Sequence, residues 1–213
     1  MRIIKPSYDI LTTISEGGIK ELQHIEKIGR VCYKSEDKIT ENGESAKKFV
    51  KMIINKGHEA MIEHSCLSVK FIVDRGVSHE LVRHRIASFA QESTRFCNYS
   101  KDKFENKITF IKPLFFKEGT QIYNDWIYAM GIAEMSYLAM LKNGATPQEA
   151  RSVLPNSTKT EITITANYRE WRNFFKLRTA KAVHPQMREV TIPLLKELKE
   201  KLPIIFDDIE IEE

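Results

Sequence analysis

Arg83, His84 and Arg85 form the densest run of cationic and titratable side chains in the sequence, and Ser93 and Arg95 follow closely. Three such side chains in a row cannot all face a core, because an isolated buried charge is costly. A hydroxyl and a guanidinium are the donors that a phosphate monoester binds. The pattern predicts either a phosphate-binding segment or an amphipathic helix with a solvated arginine face and a polar loop. Composition alone leaves both open.

Helical spacing would add Glu80 to this group. If Ser78 caps a short helix that carries His79 to Arg85, Glu80 lies on one face with Arg83 and His84.

Two arginines further along the chain, Arg151 and Arg178, could also bind an anion. A single arginine is most often a surface residue, but the apolar neighbours of Arg178 predict partial burial, which requires an anionic partner from protein or ligand. Asn167, Arg169 and Asn173 are expected at the start of the same helix. Their side chains could bind the edge of a heterocycle or cap a turn, and the sequence favours the cap.

Neither the histidines nor the cysteines predict a catalytic centre of their own. His58 and His64 are six residues apart, which is not the spacing of a zinc-binding His-Glu-x-x-His helix, so we predict no metal. Cys97 lacks a general base nearby in the sequence and is expected to be a half-buried thiol.

Composition restricts the class of protein. The 213 residues are 42% hydrophobic, which is typical of a folded globule, and no apolar run reaches the ~20 residues of a membrane-spanning helix. No secretory signal is recognisable, so a cytoplasmic protein without a membrane partner is expected. The three cysteines, Cys32, Cys66 and Cys97, are widely spaced and are expected to be reduced.

Positive charge concentrates in residues 151–188, which hold eight basic and two acidic side chains, whereas the chain ends in an acidic tail at about 206–213. Such an excess indicates a polyanionic ligand: a nucleotide, a phosphate-bearing cofactor or nucleic acid. A nucleic-acid-binding module that uses residues 151–188 is therefore the alternative hypothesis. Against it, the aromatic residues there recur at helical spacing, which more often marks a core stripe than a stacking platform.

Periodicity predicts a mixed α/β or α+β order of elements. A strand is expected at 66–73, where apolar residues alternate with polar ones, and another at 157–166, where the residues are β-branched and alternating. Helices are expected to begin near Ile19, Ser45, Ser78, Thr120, Pro147, Tyr168 and Pro185. No linker or internal repeat divides the chain, so we predict one domain.

Several motifs together resemble the flavin-dependent thymidylate synthases. Arg83, His84 and Arg85, followed after seven residues by Ser93, match the family signature. Other matching stretches occur in the same order: 57–59, 63–65, 80–83, 91–95, 151–155, 167–169, 173–178 and 184–185. The resemblance covers about residues 32–188.

The resemblance implies a single catalytic domain over residues 1–213, with a central, mostly antiparallel sheet flanked by helices. It implies an FAD-dependent methyltransferase that converts dUMP to dTMP, with methylenetetrahydrofolate as carbon donor and NADPH as reductant. It also implies a homotetramer with active sites shared between subunits, and no nucleic-acid partner.

The resemblance also assigns residues to ligands. The dUMP-binding residues would be Glu80, Leu81, Val82, Arg83, Gln91, Glu92, Ser93, Thr94, Arg95, Arg151 and Arg178, with Arg178 catalytic. The FAD-binding residues would be Ala60, Arg83, His84, Arg85, Gln91, Asn167, Tyr168, Arg169 and Asn173. Ala60 stands where members often carry a hydroxyl, and Phe96 stands where a tyrosine is common.

Overall fold

The computed structural model describes residues 1–212, so Glu213, the last residue of the expected acidic tail, lies outside the described residues. The strands are β1 (Arg2–Ile4), β2 (Ser7–Ile10), β3 (Cys66–Asp74), β4 (Ala87–Gln91), β5 (Thr109–Ile111) and β6 (Lys159–Asn167). The helices are α1 (Ile19–Val31), α2 (Glu44–Asn55), α3 (Arg75–Leu81), α4 (Gln121–Lys142), α5 (Pro147–Ala150), α6 (Tyr168–Arg178), α7 (Pro185–Lys201) and α8 (Pro203–Phe206). Short 3-10 turns lie between them, including Glu59–His64.

Four strands form a sheet in the order β2-β3-β6-β4, and β1 pairs with β5 in a separate parallel ladder. The two central strands run in opposite directions. Ser68 Oγ, near the start of β3, lies 2.7 Å from Thr165 Oγ1, near the end of β6. The Arg75 N–H, just beyond β3, donates to the Thr158 carbonyl, just before β6. The predicted mixed α/β class with an antiparallel sheet is confirmed.

The described residues divide into two compact units. The first unit contains residues 1–8, 70–83 and 89–163, and the second contains residues 9–69, 84–88 and 164–212. Compact units are not in themselves separate domains, and the single catalytic domain over residues 1–213 stays a prediction.

The core of the first unit forms around α4. Its buried side chains are Tyr99, Ile108, Phe110, Met130, Tyr137 and Ala150. Thr120 caps this helix by accepting from the Tyr123 N–H, as the expected start at Thr120 requires. Thr146 and Glu149 form a capping box that starts α5, with Pro147 in its first turn as predicted.

The second unit packs α1, α2, α6, α7 and α8 around an aromatic centre. The aromatic side chains of α6 are all buried, as the core-stripe interpretation predicts: Tyr168, Trp171, Phe174 and Phe175. The periodic apolar face of α1 and the strand-like alternation of β3 are also confirmed. Within the described part of the chain, none of the helices has the length and apolar character needed to cross a bilayer.

The ends of α2 confirm one predicted cap and correct the other. Gly57 terminates the helix at a φ of 71°, with its N–H donating to Ile54 and the next N–H to Ile53, which favours glycine. Ser45, however, is not the N-cap, which is Gly43. The Ser45 hydroxyl instead donates to the buried Glu26 carboxylate at 2.7 Å.

The helix expected from Ser78 to Arg85 begins and ends earlier than predicted. Asp74 is the N-cap of α3, and its Oδ1 accepts from the Val77 N–H at 2.8 Å. Ser78 lies inside the helix and donates to the Arg75 carbonyl. Because α3 ends at Leu81, the prediction that Glu80 shares a helical face with Arg83 and His84 is wrong.

The polar loop expected before Ser93 also needs correction, because residues 87–91 form β4. The other elements missed from the sequence, β1, β2, β5 and α8, have only three or four residues each. Segments that short depend on partners distant in sequence, which local periodicity does not report.

A buried arginine holds the C-terminal segment of the second unit. Arg172 is 2% exposed, and it donates to Glu59 at 3.0 Å and to both oxygens of Asp208 at 2.6 and 2.7 Å. The hydrogen bond from Arg172 lowers the pKa of the Asp208 carboxyl. A carboxyl whose pKa is lowered by folding stabilises the fold at neutral pH and loses that contribution as pH falls through the lowered value.

We expect Arg172→Ala to lower the free energy of unfolding by about 3–5 kcal/mol at neutral pH, because it leaves carboxylates without their buried partner. The difference from the unmodified protein should shrink at acid pH, where Asp208 becomes protonated. Urea titrations at several pH values measure both effects. Arg169→Ala is the control, since Arg169 is on the same helix but 53% exposed and should change stability by less than ~1 kcal/mol.

Candidate active site

A cavity of about 450 Å³ in the first unit is lined by side chains that suit a phosphate. Its lining residues are Arg75, Thr94, Gln148, Arg151, Ser152 and Leu154. Two guanidinium groups, two hydroxyls and an amide can all donate hydrogen bonds, and no lining side chain is an acid. A dianionic monoester matches this donor set.

Arg75 was not among the residues predicted from the sequence. It is the first residue of α3, directly after the Asp74 cap, and its Nη1 atom is buried without a hydrogen-bond partner. A buried guanidinium nitrogen without an acceptor is costly unless a ligand supplies one. An arginine that directly follows a long predicted strand is the only sequence signal for it.

Arg151 enters the same cavity from the end of α5. Its Nη1 lies 3.4 Å from the Thr94 hydroxyl, a long hydrogen bond that ties the helix end to the predicted segment 91–95. The capping box at Thr146 fixes the short helix that carries Arg151. Arg151 and Thr94 are thus brought together as the sequence interpretation requires.

The other side chains of segment 91–95 have distinct environments. Gln91 donates to Ser78 and Thr160 at 3.0 and 3.2 Å. Glu92 accepts from Tyr99 and from Lys159, each at 3.0 Å. The Ser93 hydroxyl accepts from the Arg95 N–H at 3.3 Å, and the Arg95 side chain is exposed.

The predicted stretch 80–83 presents fewer side chains than expected. Leu81 is buried in the core, so any ligand contact would be through its main chain. Val82 and Arg83 follow the end of α3 and are exposed, and Glu80 is partly exposed on the last turn.

A second cavity, of about 490 Å³, lies in the second unit. Its lining residues are Glu59, Glu63, Ile86, Asn167, Arg169, Glu170, Asn173 and Lys176. Amides that can bind a heterocycle edge are combined there with cations that can bind phosphates. Its volume falls in the range of about 300–1,000 Å³ usual for ligand sites.

The start of α6 positions the predicted flavin residues of this cavity. Asn167 is the N-cap and accepts from the Glu170 N–H at 2.8 Å, so the capping role favoured by the sequence is confirmed. Arg169 forms an ion pair with Glu63. The Tyr168 ring is buried against Phe206, so a cofactor could contact only its main chain.

Ala60 and Arg85, also predicted to contact flavin, are exposed in the second unit and do not line this cavity.

Arg178, His84 and Glu170 form a hydrogen-bonded chain in the second unit. Arg178 Nε donates to His84 Nε2 at 2.9 Å, and His84 Nδ1 lies 3.0 Å from Glu170 Oε1. Arg178 is half-buried, as the sequence predicted. Burial lowers the pKa of His84 and so favours the neutral ring, although the hydrogen bond to Glu170 acts in the opposite direction. Glu170 was missed because a glutamate three residues after Asn167 predicts helix capping.

Cys97 is a half-buried free thiol, as expected. Burial and the charge of Glu92 raise its pKa, which disfavours the thiolate.

A family model described as thymidylate synthase complementing protein matches residues 19–204. A flavin-dependent thymidylate synthase from Corynebacterium aurimucosum is 32% identical over 214 residues, covering 93% of this chain and 84% of that protein. Its counterpart from Pyrococcus abyssi is 34% identical over 168 residues, covering 77% and 68%. The chain belongs to the flavin-dependent thymidylate synthase family.

A solved structure shares the fold. The UMP/dUMP methylase PolB from Streptomyces cacaoi, described as bound with 5-Br dUMP, superposes with a TM-score of 0.77 and 19% identity over 97% of this chain and 96% of that one. The alternative of a nucleic-acid-binding module is not supported by these comparisons, and the α6 aromatics that it needs are buried.

The environment of Cys97 predicts slow alkylation. Iodoacetamide at pH 8 should modify the exposed Cys32 and Cys66 before Cys97, because the thiolate is the reactive form. Peptide mass spectrometry after timed quenching measures the order. Modification of Cys97 first would mean that its thiol is activated and would reopen a role in catalysis.

Proposed function

We propose that the chain is a flavin-dependent thymidylate synthase. It methylates dUMP at C5 to give dTMP, with methylenetetrahydrofolate supplying the carbon and NADPH the reducing equivalents through FAD. The observation that carries the proposal is the cavity of Arg75, Thr94 and Arg151, a phosphate-suited site in a chain of this family.

The 5′-phosphate of dUMP binds between Arg75 and Arg151. Both arginines line the cavity, and Thr94 and Ser152 supply hydroxyl donors on its wall. Charge-assisted hydrogen bonds of this kind contribute about 1.5–3 kcal/mol each. The remaining residues assigned to dUMP by resemblance, in 80–83 and 91–95, belong to this proposal.

Arg178 is the catalytic residue of the proposal. A guanidinium held against the uracil stabilises negative charge on N3 and its neighbouring carbonyl, which polarises C5–C6 for attack on an electrophilic carbon. Half-burial strengthens this electrostatic effect relative to water. No cysteine nucleophile is needed, which agrees with the raised pKa of Cys97.

FAD binds at the cavity of the second unit. Asn167 and Asn173 would bind the heterocycle edge, and Arg169 and Lys176 would bind phosphate oxygens. Of the carboxylates that line the cavity, Glu59 and Glu63 are paired with arginines, and Glu170 is hydrogen-bonded to His84. Bound FAD supplies the transfer of reducing equivalents from NADPH. The other residues assigned to FAD by resemblance do not line this cavity and stay predictions: Ala60, Arg83, His84, Arg85, Gln91 and Tyr168.

A homotetramer is part of the proposal. The long helix α4 exposes three large apolar side chains at helical spacing: Tyr128, Ile132 and Met135. A contiguous apolar face of this kind is typical of a protein interface. A second copy of the chain is the partner that the family resemblance implies.

The activity is tested with deoxyuridylate tritiated at C5. Replacing the C5 hydrogen by carbon must release the label as water, so tritium release and dTMP formation should both require FAD, NADPH and methylenetetrahydrofolate. Scintillation counting and chromatography measure the two products. Folded, flavin-loaded protein that releases no tritium would contradict the proposed reaction.

The phosphate site is tested by Arg75→Met and Arg151→Met. Each should weaken dUMP binding by roughly 10- to 100-fold, because one charge-assisted contact to the phosphate is lost. Isothermal titration measures the affinity. The control is Arg2→Met, since Arg2 forms an exposed ion pair with Glu105 in the same unit. Unchanged dUMP affinity in both variants would place the phosphate elsewhere.

A further inference from the structure

We propose that Glu170 is a positioning residue for Arg178: acting through His84, it fixes the orientation of the guanidinium that faces the uracil. The inference rests on the proposed function, and it assigns a role to a residue that neither the sequence motifs nor the family resemblance identified.

The geometry requires one tautomer of His84. Arginine can only donate, so His84 Nε2, 2.9 Å from Arg178 Nε, must be an acceptor. The ring proton is then on Nδ1, which needs an acceptor of its own, and Glu170 Oε1 lies 3.0 Å away. The carboxylate therefore holds the ring in the form that can accept from Arg178.

The surroundings restrict His84 to this arrangement. His84 is 6% exposed and Glu170 is 8% exposed, and the Phe174 ring packs edge-on against the imidazole with centroids 4.8 Å apart. A ring held on both nitrogens and on one face has little rotational freedom. A guanidinium bonded through Nε to such a ring has its plane defined.

Helix capping does not account for the buried carboxylate. The Glu170 backbone N–H donates to Asn167, whereas its side chain is directed to His84 and, through longer contacts of 3.3 and 3.4 Å, to Asn173. Burying an acid costs free energy unless it is paired or hydrogen-bonded. An apolar residue would satisfy packing alone, so the acid is explained by the histidine that it orients.

Protonation of His84 would break the chain. An imidazolium carries protons on both nitrogens, so Nε2–H would face the Nε–H of Arg178, with like charges adjacent. The charged groups that face His84 in the second unit are Glu170 and Arg178, both from α6. Burial keeps the pKa of His84 low, so the neutral ring persists below the usual range of histidine.

The test compares Glu170→Leu, which removes the acceptor, with Glu170→Gln, which keeps an acceptor oxygen at the same place. We expect Glu170→Leu to lower kcat by roughly 100-fold, as misplacement of a catalytic group can. Glu170→Gln should recover most of this loss. Flavin absorbance and thermal melting report folding. Glu197→Gln, in a surface ion pair with Lys201, is the control and should match the unmodified protein.

A double-mutant cycle shows whether Glu170 acts through Arg178. Glu170→Leu should weaken dUMP binding to the flavin-loaded protein by roughly tenfold, but should have no further effect once Arg178→Ala is present, since coupled residues are non-additive. Equal weakening in both backgrounds, or an unchanged kcat in Glu170→Leu, would overturn the inference. If the leucine variant fails to fold, Glu170→Ala takes its place in the same cycle.

The outcome separates this inference from the proposed function. If the unmodified, flavin-loaded protein does not bind dUMP, the proposed function fails and there is no dUMP affinity for the double-mutant cycle to compare. If it binds dUMP and the two substitutions are additive, the enzyme assignment stands and the positioning role of Glu170 is wrong.

Discussion

The cost of burying charge is the constraint on which the second unit depends most. Helix α6 carries a stripe of aromatic core residues, and charged side chains on the same helix are buried with them, so each needs a partner. Arg172 is paired with Glu59 and with Asp208 near the C-terminus, and Glu170 is hydrogen-bonded to His84. The same requirement that stabilises the fold therefore fixes the signature histidine and, beyond it, Arg178.

In the first unit, by contrast, one buried charged side chain is incompletely hydrogen-bonded. A buried guanidinium nitrogen of Arg75, which lines the cavity, has no hydrogen-bond partner, whereas Arg172 and Glu170 in the second unit are paired within the protein. A polar group left unpaired in a cavity is a preorganised ligand site, because the cost of desolvation has already been met during folding. Arg172 is accordingly structural, whereas Arg75 and Arg151 are proposed to bind substrate.

Much of the fold could be predicted because α1, β3, α4 and α6 have long, regular patterns of apolar residues. The strands β1 and β5 could not, since three residues set no period and their pairing joins distant segments. The family resemblance identified Arg151, Thr94, His84 and Arg178 as site candidates. Arg75 and Glu170 were not identified from the sequence, because their roles depend on burial. A lone arginine after a strand and a glutamate after a helix cap both have ordinary local explanations.

The binding of dUMP to the flavin-loaded protein, with Arg178 held for the uracil, is tested most directly by the flavin itself. Flavin-loaded protein is titrated with dUMP while the visible absorption spectrum is recorded. We expect a saturable spectral change with dUMP, a much weaker response to deoxyuridine, and loss of the response in Arg178→Ala. Calorimetric binding of dUMP with an unchanged flavin spectrum would contradict it.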